Sequence, residues 1–411
     1  MDQHGRVQYD GSVDPADARS RPRRREIVTI YTAGLFQGLS LVAVPAAATI
    51  LTSDTGYGLS AGEYGQLFLP QVILATSGAL GLPTLARRIG LKKVLLAGLA
   101  ANTMAMALLV ASNTVRTDAV AFPMLLVATG NLGLGFGLTL GSISTYAGAF
   151  QPQRREVALT ALNVLLGLGT ALSPLLVAIF LDFGRWWYLP LAAAAGLAAI
   201  LAVSLAQPLV INRSGDTRVP RAPVPRLFWL YAGALVIYGT AETMLGNWGT
   251  TLLAGSGVDD TSATYALAAF WAAVTVGRLV IAIASNRLGS IRIYLVLPWL
   301  IALAMVIAPS ARSPAGAIAL FALAGLACSG FFPMTVGFGE SRFPGMVELA
   351  AAWLIAAYQI GYGLAAFGGG TLQDALPLSA IFRLVALLAV VMGVLSLAIA
   401  AQQRPGIDRS P

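Results

Sequence analysis

The stretch YGTAETMLGNWGTTLL, residues 238–253, sets an acid, Glu242, in the middle of an apolar run long enough to cross a bilayer. Tyr238 stands four residues before it, and Asn247 and Trp248 follow about a turn and a half later, so a helix would gather them into one polar-aromatic stripe. A charged acid facing lipid near the midplane costs about 2.5 to 3.5 kcal/mol. The residue therefore implies a water-lined cavity, a basic partner or a protonated carboxyl. Burial disfavours the charged form of a carboxyl, and a group that loses and regains a proton as its surroundings change sides can couple the movement of another molecule to a proton gradient. The plainer alternative is a structural hydrogen bond between helices. Arg278, in TVGR, is a second charge inside an apolar run. It can snorkel to an interface, pair with Glu242, Glu340 or another buried acceptor, or meet an anionic group of a solute.

Other chemistry finds few residues to carry it. The single His, His4, and the single Cys, Cys328, supply neither a metal cluster nor a disulfide framework. No Ser/His/Asp set, no pair of acids on one span and no phosphate loop can be assembled, which argues against an enzyme and against a bound cofactor. Gly133, Gly137 and Gly141 repeat every four residues, but with no strand before them they read as a small-residue face for close helix packing and not as a dinucleotide fingerprint.

The elements that must position these residues follow from composition. The chain has 411 residues, 57% hydrophobic and 11% charged, with mean hydropathy +0.76, so it reads as an integral membrane protein. Apolar runs of about 20 residues centre near positions 39, 73, 102, 134, 169, 197, 240, 274, 300, 326, 359 and 389, which predicts an all-α membrane protein of twelve transmembrane helices. Of the 26 Lys and Arg residues, 21 fall in the tails and alternate loops that lie on one side if the N-terminus is inside; Arg116, Arg185 and Arg312 fall opposite. The net charge of +8 is thus a topological signal, not a nucleic-acid surface, and it predicts a multi-pass cell-membrane protein with both termini cytoplasmic and an outer aromatic belt at Trp186, Trp187 and Tyr188. The run from Ile27 to Leu51 is too long for the core of a signal peptide and reads as the first span.

The sequence divides into a disordered arm over 1–24, a six-helix bundle over 25–207, a cytoplasmic linker over 208–226 rich in Pro and Arg, a second six-helix bundle over 227–402 and a tail over 403–411. PTLARRIG (83–90) aligns with AIASNRLG (282–289), and VALTAL (157–162) with VELAAA (347–352), so the halves read as a repeat. Two pseudo-symmetric bundles can rock about a site held between them near the midplane, which predicts alternating access to a small solute. The chain would work as a monomer.

Long stretches then resemble the major facilitator superfamily, from about residue 26 to 402, and its fucose-permease-like branch in particular: GLGFGLTLGSISTYAGAFQPQRREVALTALNVLLGLGTALSP, YGTAETMLGNW, FWAAVTVGR and GFFPMTVGFGESRFPG. The resemblance implies that spans one, four, seven and ten line the cavity, which would add Gln37, Asn131, Ser144, Phe331 and Phe332 to the pathway. Asn163 of span five, and Tyr358, Gln359 and Tyr362 of span eleven, are weaker candidates. The family signature G-x-x-x-D-R-x-G falls on Pro83, Arg87, Arg88 and Gly90, and in the second half on Ala282, Asn286, Arg287 and Gly289. Arg87 and Asn286 replace the acid, so the charge lock the family implies is weakened in both halves. The acids expected in spans one and four are also missing, which leaves Glu242 as the coupling acid or the chain as a facilitator or exchanger. The partners implied are a small organic solute, protons and the lipid bilayer. An efflux pump of the same fold and a non-transporting sensor are the competing expectations.

Overall fold

The computed structural model describes residues 24–211, 225–343 and 347–402, without the side chains of residues 156, 286, 347–349, 351 and 352. The arm, most of the linker and the tail lie outside the described residues. Among the described residues, twelve helical units follow one another. Helix α1 runs Arg24–Leu41 and continues through two short pieces, Ala43–Ala46 and Ala48–Thr52; α2 comprises Ala61–Gln66 and Phe68–Ile89. Then come α3 (Leu91–Ser112), α4 (Ala121–Phe150), α5 (Arg155–Leu181) and α6 (Tyr188–Ala206), and in the second half α7 (Phe228–Gly255), α8 (Asp260–Leu288), α9 (Ser290–Ile307), α10 (Pro314–Arg342), α11 (Val347–Thr371) and α12 (Leu378–Gln402). Each predicted centre falls within a few residues of the middle of its helix.

Helices prevail because hydrocarbon offers no partner for a free backbone N–H or C=O. Nine helices among the described residues are long and apolar enough to cross a membrane on length and composition. Of the remaining three, α7 carries polar side chains in its middle turns, and packing compensates: it is buried around most of its length, including Tyr238, Glu242, Thr243, Asn247 and Trp248.

Helices α1 to α6 and α7 to α12 form two bundles with the same internal plan. In the first, α1 packs on α5, α2 on α4, and α3 on both α4 and α6; in the second, α7 packs on α11, α8 on α10, and α9 on both α10 and α12. Adding six converts each pair into its counterpart. The main contacts between the bundles, α2 with α11 and α5 with α8, also exchange under that shift, so a pseudo-twofold axis relates the halves. Gly90 and Gly289, matched by the repeat, each form a one-residue link between consecutive helices at φ +91° and +85°, a left-handed conformation that a side chain disfavours. Gly133 and Gly137 bring α4 against the backbone of α2, where a Cβ would strike the carbonyls of Gln71 and Ala75.

The two ends of the molecule differ. On the face that carries Thr52 the bundles are sewn together: the Tyr64 hydroxyl donates to the Asn247 carbonyl at 3.0 Å, its ring meets Trp248 edge-on at 5.0 Å, and Thr261 donates to Asp182 at 3.0 Å. Halfway down, Gly167 of α5 lies against Thr275 of α8. On the opposite face, which carries Arg24, a set of bonds ties the first bundle to itself. Leu209, at φ +44°, donates its N–H to Glu26 at 3.2 Å and accepts from Tyr146 at 3.0 Å. Lys92 donates to the carbonyls of Leu205 and Gln207 at 2.9 and 2.6 Å, a cation placed at the carbonyl end of α6.

Caps fix the helix ends on the Thr52 face. Ser60 and Glu63 form a reciprocal capping box that starts α2. Asp259 accepts the Ser262 N–H at 2.8 Å, and that hydrogen bond holds its carboxyl below the usual range. A depressed folded pKa means the cap is fully stabilising above about pH 4 and loses its contribution as pH falls through the lowered pKa. Because the side chain is largely solvated, Asp259→Ala should cost only about 0.5 to 1 kcal/mol at neutral pH. Thermal unfolding in detergent at pH 7 and at pH 3 checks this: the gap between wild type and variant should close at the lower pH.

Candidate functional site

Glu242 occupies the middle turns of α7 and is 5% exposed, held inside the second bundle instead of lying free in a water-filled space as the sequence allowed. One turn earlier, the Tyr238 hydroxyl lies 2.7 Å from Oε1. From α11, the Tyr358 hydroxyl donates to Oε2 at 2.7 Å. Both oxygens are therefore occupied, one by a neighbour in the same helix and one by a different helix. The Tyr238 hydroxyl also lies 2.7 Å from the backbone carbonyl of Cys328 on α10, and its ring stacks on Phe331 of that helix. Phe332 packs edge-on to Tyr358. Three helices thus converge on one carboxyl.

This geometry sets a proton count. A phenol has one hydrogen to donate, yet Tyr238 has two acceptors at the same short distance. The Cys328 carbonyl has no proton to offer. All three contacts are satisfied when Glu242 itself carries a proton, gives it to the Tyr238 oxygen, and leaves the phenolic hydrogen for Cys328. With an ionised carboxylate the phenol must choose, and either the carbonyl or the carboxylate faces a lone pair. A buried polar group without its partner costs about 1 to 3 kcal/mol, so the protonated carboxyl fits these three contacts better than the carboxylate does.

Arg278 approaches from α8. Its charge acts on both Glu242 and Tyr358; its own side chain is exposed. Its face of α8 is fixed by Trp271, seven residues or two turns earlier, whose ring packs on α7 at Gly246, one turn beyond Glu242. The face of α8 that bears Trp271 and Arg278 is therefore the one turned toward the acid, while Val276, Val280 and Ile283 are exposed on another side. The Trp271 Nε1 is buried without a hydrogen-bond partner, as is Thr243 Oγ1 on α7.

The remaining expected pathway residues separate. Asn247 gives its backbone carbonyl to Tyr64 and its side chain reaches the Tyr362 hydroxyl at 3.4 Å. Trp248 is fully buried and donates to the Ala365 carbonyl at 3.0 Å, so it belongs to the seam on the Thr52 face. Gln37 turns away from the second bundle: its Oε1 accepts from Asn102 of α3 at 2.7 Å, inside the first bundle, with Gln37 Nε2 and Asn102 Oδ1 left without partners. Asn131 donates to the Val127 carbonyl of its own helix at 2.9 Å. Ser144 and Gln359 are half-buried and Asn163 is exposed; none of these three is brought to Glu242. In the signature, Arg87, Arg88 and Arg287 are exposed, and the side chain of Asn286 lies outside the described residues. A cavity of about 520 Å³ lined by Thr251, Arg312 and Gln373 draws all its walls from the second bundle, so it is not a space between the halves.

Sequence reasoning missed the Cys328 carbonyl and Tyr64. A backbone oxygen has no signature in a sequence. Tyr64 sits two residues after a Gly and one before another, at the very start of its apolar run, away from the polar-aromatic stripe.

No family model matches the chain, and no curated protein matches it. Solved structures do. A mutant of the nucleoside transporter NupG superposes with TM-score 0.71 at 14% identity, over 91% of this chain and 99% of that one. A POT family transporter in complex with 5-aminolevulinic acid gives 0.72 at 13%, over 92% and 96%, and a D-xylose-proton symporter gives 0.70 at 14%, over 92% and 97%. At such identities the likeness is one of fold: a twelve-helix, two-bundle architecture.

Proposed function

We propose that the protein is a proton-coupled secondary transporter of a small organic solute, working by alternating access between its two bundles, with Glu242 as the coupling acid. The observation that carries this reading is the Glu242 carboxyl, held by Tyr238 and Tyr358 at 2.7 Å each in a constellation that balances when the acid is protonated. The likeness in fold to a nucleoside transporter, a POT family transporter and a D-xylose-proton symporter lends support, as do the stretches resembling the fucose-permease-like branch. The rocking units would be residues 25–207 and 227–402, joined by a cytoplasmic linker, with the Arg24 face cytoplasmic because Lys and Arg concentrate there.

The test is purified protein in liposomes loaded with a pH-sensitive dye. D-Xylose, a nucleoside and 5-aminolevulinic acid are each added outside. At least one should carry protons with it, and imposed pH gradients should drive its accumulation. Solute exchange that proceeds at equal rate from pH 6 to pH 8, with no dye response, would remove proton coupling from the account.

A further inference from the structure

We propose that the solute is an organic anion bearing a carboxylate, that Arg278 is its anchor, and that it travels with one proton on Glu242 so that no net charge crosses. The inference rests on the transporter reading above and adds the chemistry of the cargo.

The first observation is an uncompensated cation. Arg278 lies past the middle of α8, on the face that turns toward Glu242, and makes no hydrogen bond or ion pair with the described residues. A guanidinium at this depth is costly unless it meets water or an anion, and its planar fork of donors matches a carboxylate in two parallel bonds. The acid whose field it shares could neutralise it, but both oxygens of Glu242 are engaged by tyrosines, and the donor count at Tyr238 is satisfied by the protonated form. The titratable groups that reach Glu242 are Tyr238 from α7, Cys328 from α10, Tyr358 from α11 and Arg278 from α8. Of these, Arg278 alone is charged at neutral pH. The protonated site therefore carries one positive charge, and a monoanion balances it.

The second observation gives the anion a body. Two turns from Arg278, about 10 Å along the same face of α8, Trp271 offers a buried Nε1 donor with no partner and an indole that packs on α7 at Gly246. A buried donor without an acceptor is costly, and a solute atom that satisfies it recovers that cost. A solute with a carboxylate at one end and a hydrogen-bond acceptor on its body spans the two. A neutral sugar could use Trp271 but would leave Arg278 unmatched. The same geometry links the two bound species: when Glu242 is ionised its charge competes with the solute for the field of Arg278, so proton and anion favour each other's binding.

The experiment uses full-length protein in dye-loaded liposomes with a set of carboxylates that carry a distant carbonyl, namely levulinate, 6-oxoheptanoate and 4-acetylbenzoate, each paired with its neutral amide. At least one acid should draw protons with it faster than the undissociated acid leaks into protein-free liposomes, while its amide does not, and this protein-dependent uptake should be unchanged when a potassium diffusion potential is imposed. Arg278→Gln should weaken that acid's apparent affinity about 10- to 100-fold, and Arg278→Lys should restore part of it by keeping the charge; gel filtration and the melting curve establish that both variants fold. Amides moving as well as acids, no response to any acid, or undiminished acid affinity in Arg278→Gln would overturn the assignment. A neutral solute that moves protons equally well in wild type and Arg278→Gln would overturn the anion while leaving proton coupling intact.

Discussion

Glu242→Gln should leave the protein folded and abolish proton-driven accumulation. An amide is nearly the shape of a protonated carboxyl and has the same polarity where it matters: its N–H₂ can donate to the Tyr238 oxygen, and its carbonyl can accept from Tyr358. Tyr238 then keeps its hydrogen for the Cys328 carbonyl, 2.7 Å away. The variant is thus held permanently in the loaded form, and its melting temperature in detergent should equal or exceed that of wild type. Transport loses its driving term. For one proton per solute, a gradient of one pH unit is worth about 1.4 kcal/mol, or up to tenfold accumulation; the variant should equilibrate solute across the membrane and stop there. Exchange of labelled for unlabelled solute should persist, since it needs no release of the proton. Gradient-driven accumulation that survives the substitution would remove Glu242 from coupling. A collapse in stability would instead show that the carboxyl is ionised in the folded protein, because an amide cannot replace a charge. Tyr358→Phe is the companion variant: it leaves Oε2 without a donor inside the bundle and should destabilise the protein by about 1 to 3 kcal/mol.

Trp248→Ala should act on stability and on conformation together. The side chain is fully buried, and removing an aromatic of this size from a core costs about 3 to 5 kcal/mol. Most of that loss belongs to the second bundle, where Trp248 bonds to the Ala365 carbonyl and fills the space beside Gly369. A smaller share belongs to the seam, through the edge-on contact with Tyr64 of α2, and aromatic pairs contribute about 0.5 to 1.5 kcal/mol beyond area. That share biases the equilibrium between closed and open forms of the Thr52 face by up to about tenfold. A cysteine placed at Ala61, at the start of α2 on that face, reports it: its reaction with a membrane-impermeant maleimide should rise in the Trp248→Ala background. The native thiol, Cys328, is buried and will not interfere. Tyr64→Phe separates the shares, because it removes only the bond to the Asn247 carbonyl at 3.0 Å and should raise labelling with little loss of stability. Unchanged labelling in both variants would mean that these residues do not hold the face shut.

Much of this is legible without coordinates. Helix positions follow from hydropathy alone, since bilayer thickness sets their length. Glu242 and Tyr238 can be joined because four residues on a helix bring side chains together, and Gly90 and Gly289 can be matched because the repeat aligns them. What a sequence does not convey is direction. A family pattern says which helices surround a cavity, but not which way each side chain points, and so Gln37, which that pattern sets in the pathway, turns inward to Asn102 instead. Asn131 spends its amide on its own helix for a related reason: a polar group in an apolar run takes the nearest backbone acceptor. Trp248 misleads differently, because an aromatic beside a polar stripe looks the same whether it touches a solute or seals a seam. Tyr358 ranks low in the sequence because its partner is 116 positions away, a distance no spacing rule covers.

The one-residue links at Gly90 and Gly289 leave no slack between the helices they join. Helices α2 and α3, and likewise α8 and α9, can tilt together but cannot slide lengthwise past each other. For anyone engineering the chain, the two links are forbidden sites for a tag or an extra loop, whereas the turn between α3 and α4 on the other face has spare length and should accept one. The stiff joints also make each hairpin a natural unit for splitting: a gene cut there would have to rejoin its pieces end to end, while a cut between α6 and α7 would release two bodies that already possess their own internal packing.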